Sequence, residues 1–190
     1  MDLKSIEFPK LLESTRLRLR PLEERDREAL FAIYSDEQSA ALDDWVPFTS
    51  VAEADALIRS AQEKAATKEE LRLGIETTHN GRLVGSCGLF GFDEWNSKCM
   101  LYYQVCLQER NNGYATEAVA ALIDYAFGPL GANRVEAYIT PGNDASIRVL
   151  EKCGFANEGL LREMEFYKGR FWDGIAMAKL RRDHDTFARS

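Results

Sequence analysis

The feature that most constrains this chain is a change of hydrophobic period on either side of residues 107–113. Before it, Lys98 to Leu107 reads as a strand, with Met100, Tyr102 and Val105 as its apolar markers. After Gly113, the residues Ala115, Ala118, Val119, Leu122, Ile123 and Ala126 fall at i, i+3, i+4, i+7, i+8 and i+11. That spacing predicts an amphipathic helix ending near Gly128-Pro129. Arg134 to Ile139 then reads as a strand again. Strand, helix and strand in succession need a crossover, so these two strands pair in parallel.

The flanking segments complete a mixed α/β pattern. Arg16-Leu17-Arg18-Leu19-Arg20 alternates strictly and stops at Pro21, as a strand with one buried face does. Asp26 to Tyr34 and Val51 to Ala66 carry apolar residues at helical spacing, with an aromatic loop, Leu42 to Phe48, between them. Leu71–Glu76, a turn at His79-Asn80-Gly81-Arg82, and Leu83–Phe92 form a hairpin that extends into an antiparallel meander. Asp144 to Cys153 is a short helix stopped by Gly154, and Phe155–Glu163 with Phe171–Leu180 form a last strand pair.

Composition excludes several functions. The 190 residues carry 24 Lys+Arg against 31 Asp+Glu, a net charge of −7, which argues against a general nucleic-acid binder. Two histidines, His79 and His184, cannot build a His-rich metal site, and no metal is expected. Cys87, Cys99, Cys106 and Cys153 form no CxxC pair and sit in apolar stretches, as reduced buried thiols do. Without an apolar leader or an 18-residue apolar run, the expected location is cytoplasmic, with no membrane partner.

The segment Leu107 to Ala118 bears the chemistry. A helix's first amides have no intrahelical acceptor and converge with the positive end of its dipole, so this turn suits a pyrophosphate; it can equally be a plain strand-to-helix turn. Gly113 and the small Ala115 let backbone approach a ligand, and Arg110 can add charge. Neither GxGxxG nor a Walker motif is present.

Arg110-Asn111-Asn112-Gly113-Tyr114-Ala115 resembles the Q/R-x-x-G-x-G/A signature of the GNAT (Gcn5-related N-acetyltransferase) superfamily. Thr116-Glu117-Ala118 is similar to the branch holding ribosomal-protein N-terminal acetyltransferases of the RimJ/RimL type. Downstream, Asn143 to Phe155 resembles that branch's N-x-x-S-x-x-x-x-E-K-x-G-F motif. The Thr15–Arg20 strand and the Trp45-Val46-Pro47-Phe48 loop also fit. One departure is Asn111, where many members have Gly; Asn tolerates unusual backbone angles.

The resemblance implies one GNAT domain over residues 1–190, with its core at about 13–181. Its mostly antiparallel sheet would have about seven strands, splayed between the fourth and fifth, with about four helices. It implies acetyl-CoA as donor, an amine as acceptor, and homodimerisation as a family habit. Backbone amides from Asn111 to Thr116, including Asn112, Gly113, Tyr114 and Ala115, would hold the pyrophosphate. Val105-Cys106-Leu107 would pair with the pantetheine arm. Asn143 would contact the pantetheine or the acceptor side, and Ser146 would lie near the sulfur. Asn and Ser are also common helix caps, so both can serve as caps.

Amide formation needs a neutral amine, an oxyanion donor and protonation of the leaving thiolate. A backbone N–H near Val105–Leu107 is the expected oxyanion donor. Glu163, Glu165 and Asp173 are the candidate bases, Ser146 the preferred proton donor, and Tyr103 and Tyr138 further donors or packing residues. With no histidine near it, Cys106 is not expected to carry an acetyl group, and direct transfer suits the fold better. Asp43 and Asp44 can attract a cationic acceptor or form a solvated turn. The competing reading is a CoA-binding module whose chemistry is lost.

Overall fold

In the computed structural model, which describes residues 1–187, strands β1 (Leu12–Glu13) and β2 (Leu17–Pro21) precede three helices: α1 (Arg27–Tyr34), α2 (Glu37–Ala40) and α3 (Val51–Thr67). The meander β3 (Glu70–Thr77), β4 (Leu83–Asp93) and β5 (Lys98–Val105) follows. Helix α4 (Tyr114–Phe127), strand β6 (Arg134–Ile139), helix α5 (Asp144–Lys152), strands β7 (Ala156–Tyr167) and β8 (Arg170–Leu180) and helix α6 (Arg181–Phe187) complete the chain.

The eight strands form one sheet in the order β1-β2-β3-β4-β5-β6-β8-β7. The β5–β6 pair is parallel, as the crossover through α4 requires, and its other neighbouring pairs are antiparallel. The sheet has one strand more than expected, because the two-residue β1 pairs with β2. The predicted splay therefore falls between β5 and β6. Helices α2 and α6 are also additional to the four expected.

The alternation explains which face each residue takes. Leu71, Leu73 and Ile75 of β3, with Cys99, Leu101 and Val105 of β5, pack into a core closed by Ala118, Val119, Leu122, Ile123 and Ala126 of α4. On the other face α1 and α3 bury Leu30, Ile33, Tyr34, Ala54 and Ile58. The sheet also carries a polar network: the Arg72 guanidinium donates to Glu70 at 2.8 Å, and the Tyr102 hydroxyl to Glu70 at 2.9 Å. Cys87, Cys99 and Cys153 are buried and Cys106 is half-buried; all four thiols are unpaired.

Charge inside the fold is neutralised locally. Arg20 of β2 donates to both oxygens of Asp26, at 2.7 and 2.8 Å, and to Glu76 at 2.7 Å, with all three residues buried. Helix α3 begins in a reciprocal capping box between Ser50 and Glu53.

Among the described residues no helix is long and apolar enough to cross a membrane, and no group of three His, Cys, Asp or Glu could hold a metal ion.

Candidate functional site

The site begins where β5 leaves β6. The two strands pair only at Lys98–Arg134, Cys99–Val135 and Met100–Glu136, after which β6 continues against β8. Beyond Met100 a wedge opens. The Cys106 amide donates to the Val84 carbonyl at 2.8 Å, so the alternation of an antiparallel ladder turns the backbone groups of Tyr103 and Val105 away from β4 and into the wedge. The amide of Cys106, one of the expected oxyanion donors, is thus already used.

Strand β5 ends at Val105 rather than at the predicted Leu107, because Leu107–Glu109 coils into a 3₁₀ turn. Asn111 and Gly113 then take left-handed angles, φ 66° and 79°, which aim the chain into α4. No side chain caps α4, so its first amides are left for a ligand or water at the mouth of the wedge. An added Cβ at Gly113 would lie 3.3 Å from the Arg16 guanidinium, which is itself held by Glu117 at 2.7 Å and by the Asn112 carbonyl at 2.9 Å.

Most of the predicted cofactor residues meet in one cavity of about 460 Å³. Tyr103, Val105, Arg110, Asn111, Gly113, Tyr114, Ala115, Thr116, Asn143 and Ser146 line it, whereas Cys106, Leu107 and Asn112 do not. Cys106 opens instead onto a separate depression beside Arg20 and Arg25, and burial pushes its thiol up, against nucleophilic use.

Asn143 caps α5, its side-chain oxygen accepting from the Ser146 amide at 3.2 Å. The Tyr103 hydroxyl donates to the Ser146 carbonyl at 3.0 Å, and burial pushes its ionisation well above the ordinary tyrosine range. Tyr103 and Ser146 are thus brought together. Glu163 is not brought to them. It is exposed, at φ 53°, and its amide donates to Asp173 at 2.8 Å beside a different surface depression. Glu165 lies in a third, small pocket with Tyr138, Tyr167 and Trp172.

Several side chains in the cavity lay outside the sequence reading of the cofactor site, Glu109 and Gln104 among them. Arg148 and Lys152 project from α5 into it, an i, i+4 pair that helical periodicity from Asp144 would have placed on one face. Ser39, in the short α2, accepts from Arg110 at 2.6 Å, which draws that guanidinium across the entrance. Asp43 lines the end of the same cavity.

A model of the GNAT acetyltransferase domain matches residues 16–156. The chain belongs to this family. It is 33% identical over 173 residues to the uncharacterized N-acetyltransferase p20 of Bacillus licheniformis, covering 91% of this chain and 97% of that one. RimJ of Mycobacterium smegmatis, solved with CoA-disulfide, superposes with a TM-score of 0.78 at 26% identity, over 91% of this chain and 88% of that one. Spermidine N-acetyltransferase of Vibrio cholerae, solved with CoA and spermine, shares the fold with a TM-score of 0.77 at 22% identity, over 90% of this chain and 99% of that one. The chain is an acyltransferase of the GNAT type, and it shares its overall fold with the two solved structures.

Proposed function

We propose that the protein transfers the acetyl group of acetyl-CoA to a primary amine by direct attack, with both substrates bound together. The observation that carries this reading is the uncapped start of α4 at the mouth of a wedge lined by Tyr103 and Val105, beyond the last β5–β6 pair at Met100–Glu136. The residues present fit the coenzyme. Gly113 leaves the helix start bare of side chain, the amides from Asn111 to Thr116 suit a diphosphate, and Arg110, Arg148 and Lys152 supply positive charge around it.

When bound, acetyl-CoA supplies the activated thioester. The protein's part is orientation and proton handling. The Tyr103 and Val105 backbone would align the pantetheine arm as an added strand. The Val105 amide, turned into the wedge, would face the carbonyl oxygen as negative charge develops. Tyr103 keeps its proton, which it donates to the Ser146 carbonyl in the free protein; in this reading the hydroxyl would turn from that carbonyl to give the proton to the leaving thiolate.

The acceptor enters from the opposite end, between the Leu42–Phe48 loop and the β7–β8 hairpin. Asp43, Asp44 and Glu165, with the stacked pair Tyr167 and Trp172, make this end acidic and aromatic. The rings already carry the Arg170 and Lys168 cations, so it is the carboxylates that suit an amine arriving as an ammonium ion. The experiment is CoA–thiol release from acetyl-CoA with spermidine, free amino acids and peptides bearing free N-termini, alongside calorimetric acetyl-CoA binding. Thiol release with at least one amine is expected. Tight binding with no thiol released from any amine would favour a silent CoA-binding module, and no binding would refute both.

A further inference from the structure

The wedge still lacks a base, since Glu163, Glu165 and Asp173 line other depressions. Two carboxylates do line the wedge cavity, Glu109 and Asp43. Glu109 is engaged beside the turn into α4, accepting from Arg82 at 3.4 Å and from the Asn112 side chain at 3.0 Å, which leaves Asp43. Asp43 follows α2, and it shares that cavity with Tyr103 and Gln104 of β5. Its backbone is held from across the entrance. The ammonium of Lys168, at the β7–β8 turn, donates to the Asp43 carbonyl at 2.7 Å and also to the Ala40 carbonyl. Lys168 itself sits at φ 50°, a left-handed turn that sends its side chain back over the loop. A second polar group on the same cavity awaits a partner: the Gln104 side-chain nitrogen is buried with no hydrogen-bond acceptor. A buried donor of that kind marks space that a bound polar ligand would satisfy.

We propose that Asp43 is the carboxylate that takes the proton from the acceptor amine, and that Lys168 is the positioning residue that holds it over the open end of the wedge. This rests on the acetyl-transfer reading. The amine arrives as an ammonium. Asp43 takes one N–H proton, which passes to water, and the freed lone pair forms the C–N bond as the C–S bond breaks. The second N–H proton balances the thiolate as it becomes a thiol, through Tyr103. Net products are the amide, the free thiol and one released proton.

The surroundings of Asp43 suit the task. Burial and the neighbouring Asp44 push its carboxyl up to about 6, against the opposing pull of the Trp45 side chain, the Asp44 backbone and the Lys168 ammonium. The phenols of Tyr103 on β5 and Tyr167 on β7 also face it, and both remain protonated; Glu165 on β7 acts on Asp44 and Tyr167. A carboxylate of about 6 is ionised at neutral pH yet far more basic than an ordinary aspartate at about 3.9. That brings it within about two units of an α-ammonium at about 7.7–8.0.

The test uses Asp43→Asn, Asp43→Glu, Lys168→Met and Lys168→Arg in the full chain, with spermidine and a free-N-terminus peptide as probes. Asp43→Asn should lower kcat by about 10²-fold or more and remove the acidic limb near pH 6, while acetyl-CoA affinity by calorimetry stays within about twofold. Asp43→Glu should retain that limb. Lys168→Met should lower kcat with acetyl-CoA affinity unchanged, and Lys168→Arg should restore it. Independently of turnover, carboxyl-carbon NMR of the unliganded protein should show a titration near pH 6 that is absent in Asp43→Asn. Wild-type kcat and an intact acidic limb in Asp43→Asn, or an Asp43 titration in the ordinary carboxylate range, would overturn the assignment. Those results leave acetyl transfer itself standing, whereas loss of wild-type acetyl-CoA binding would sink the reading beneath it.

Discussion

Gly113→Val tests the proposed hold on the diphosphate most directly. Gly113 sits at φ 79°, where an L side chain costs about 1–2 kcal/mol and a β-branched one more. Its Cβ would also lie 3.3 Å from the Arg16 guanidinium, which is fixed by Glu117 and the Asn112 carbonyl and can retreat little. The loop must shift, and the α4 amides turn with it. A hydrogen bond to a charged group contributes about 1.5–3 kcal/mol, so losing one weakens acetyl-CoA binding by about 10- to 150-fold. The assay is calorimetric acetyl-CoA binding with thermal unfolding of the free protein. Gly169→Val is the control. It has a similar φ of 75° with nothing within 4 Å of an added Cβ, so it carries backbone strain in the β7–β8 turn, without the contact to Arg16. Gly169→Val should lower stability but keep full affinity. An unchanged dissociation constant in Gly113→Val, or equal losses in both variants, would refute the reasoning.

Two further perturbations probe the fold and the charge around the cavity. Burial raises the Asp26 carboxyl, but hydrogen bonds from Arg20 and the Glu23 backbone outweigh it and hold the group below its ordinary value. The stability this contributes is present above the unfolded aspartate range and lost as pH falls through the native value. Urea unfolding should therefore weaken below about pH 4 in the wild type. Asp26→Asn should lose about 3–5 kcal/mol at pH 7 and show a shallower slope in acid; an equally steep slope would count against the triad. Arg148→Ala and Lys152→Ala should each weaken acetyl-CoA binding severalfold, more at low ionic strength than at high, because exposed charges are screened by salt. A salt-independent loss in calorimetry would point to packing instead.

How much was legible in the sequence followed how local the signal was. The period of α4 and the strands on either side of it were readable because each is a pattern within about a dozen residues. The crossover followed from their order alone, and so did the position of Gly113 at the helix start. Strand β1 and helix α2 were not readable, since two and four residues are too few to show a period. Strand β5 ended early because Leu107–Glu109 coils at a place where residue types do not separate a 3₁₀ turn from extended chain.

The site divides along the same line. Asn143, Ser146 and the residues from Arg110 to Thr116 come from two contiguous motifs, and the structure brings most of them into one cavity. Glu163 had the right chemistry, but the hairpin carries it to another face. Asp43 had only an ambiguous signal, an acidic pair in a loop. Its backbone at the wedge is held by Lys168, 125 residues later in the chain, and its carboxyl is raised chiefly by burial in the folded protein, with the neighbouring Asp44 adding to it. The sequence by itself determined the elements, their order and the bare helix start, because helix and strand periods and a glycine's conformational freedom act over a few residues. The tertiary structure alone decided where β5 parts from β6 and that Asp43 lines the wedge, because strand divergence and desolvation depend on segments that meet only when the chain is folded.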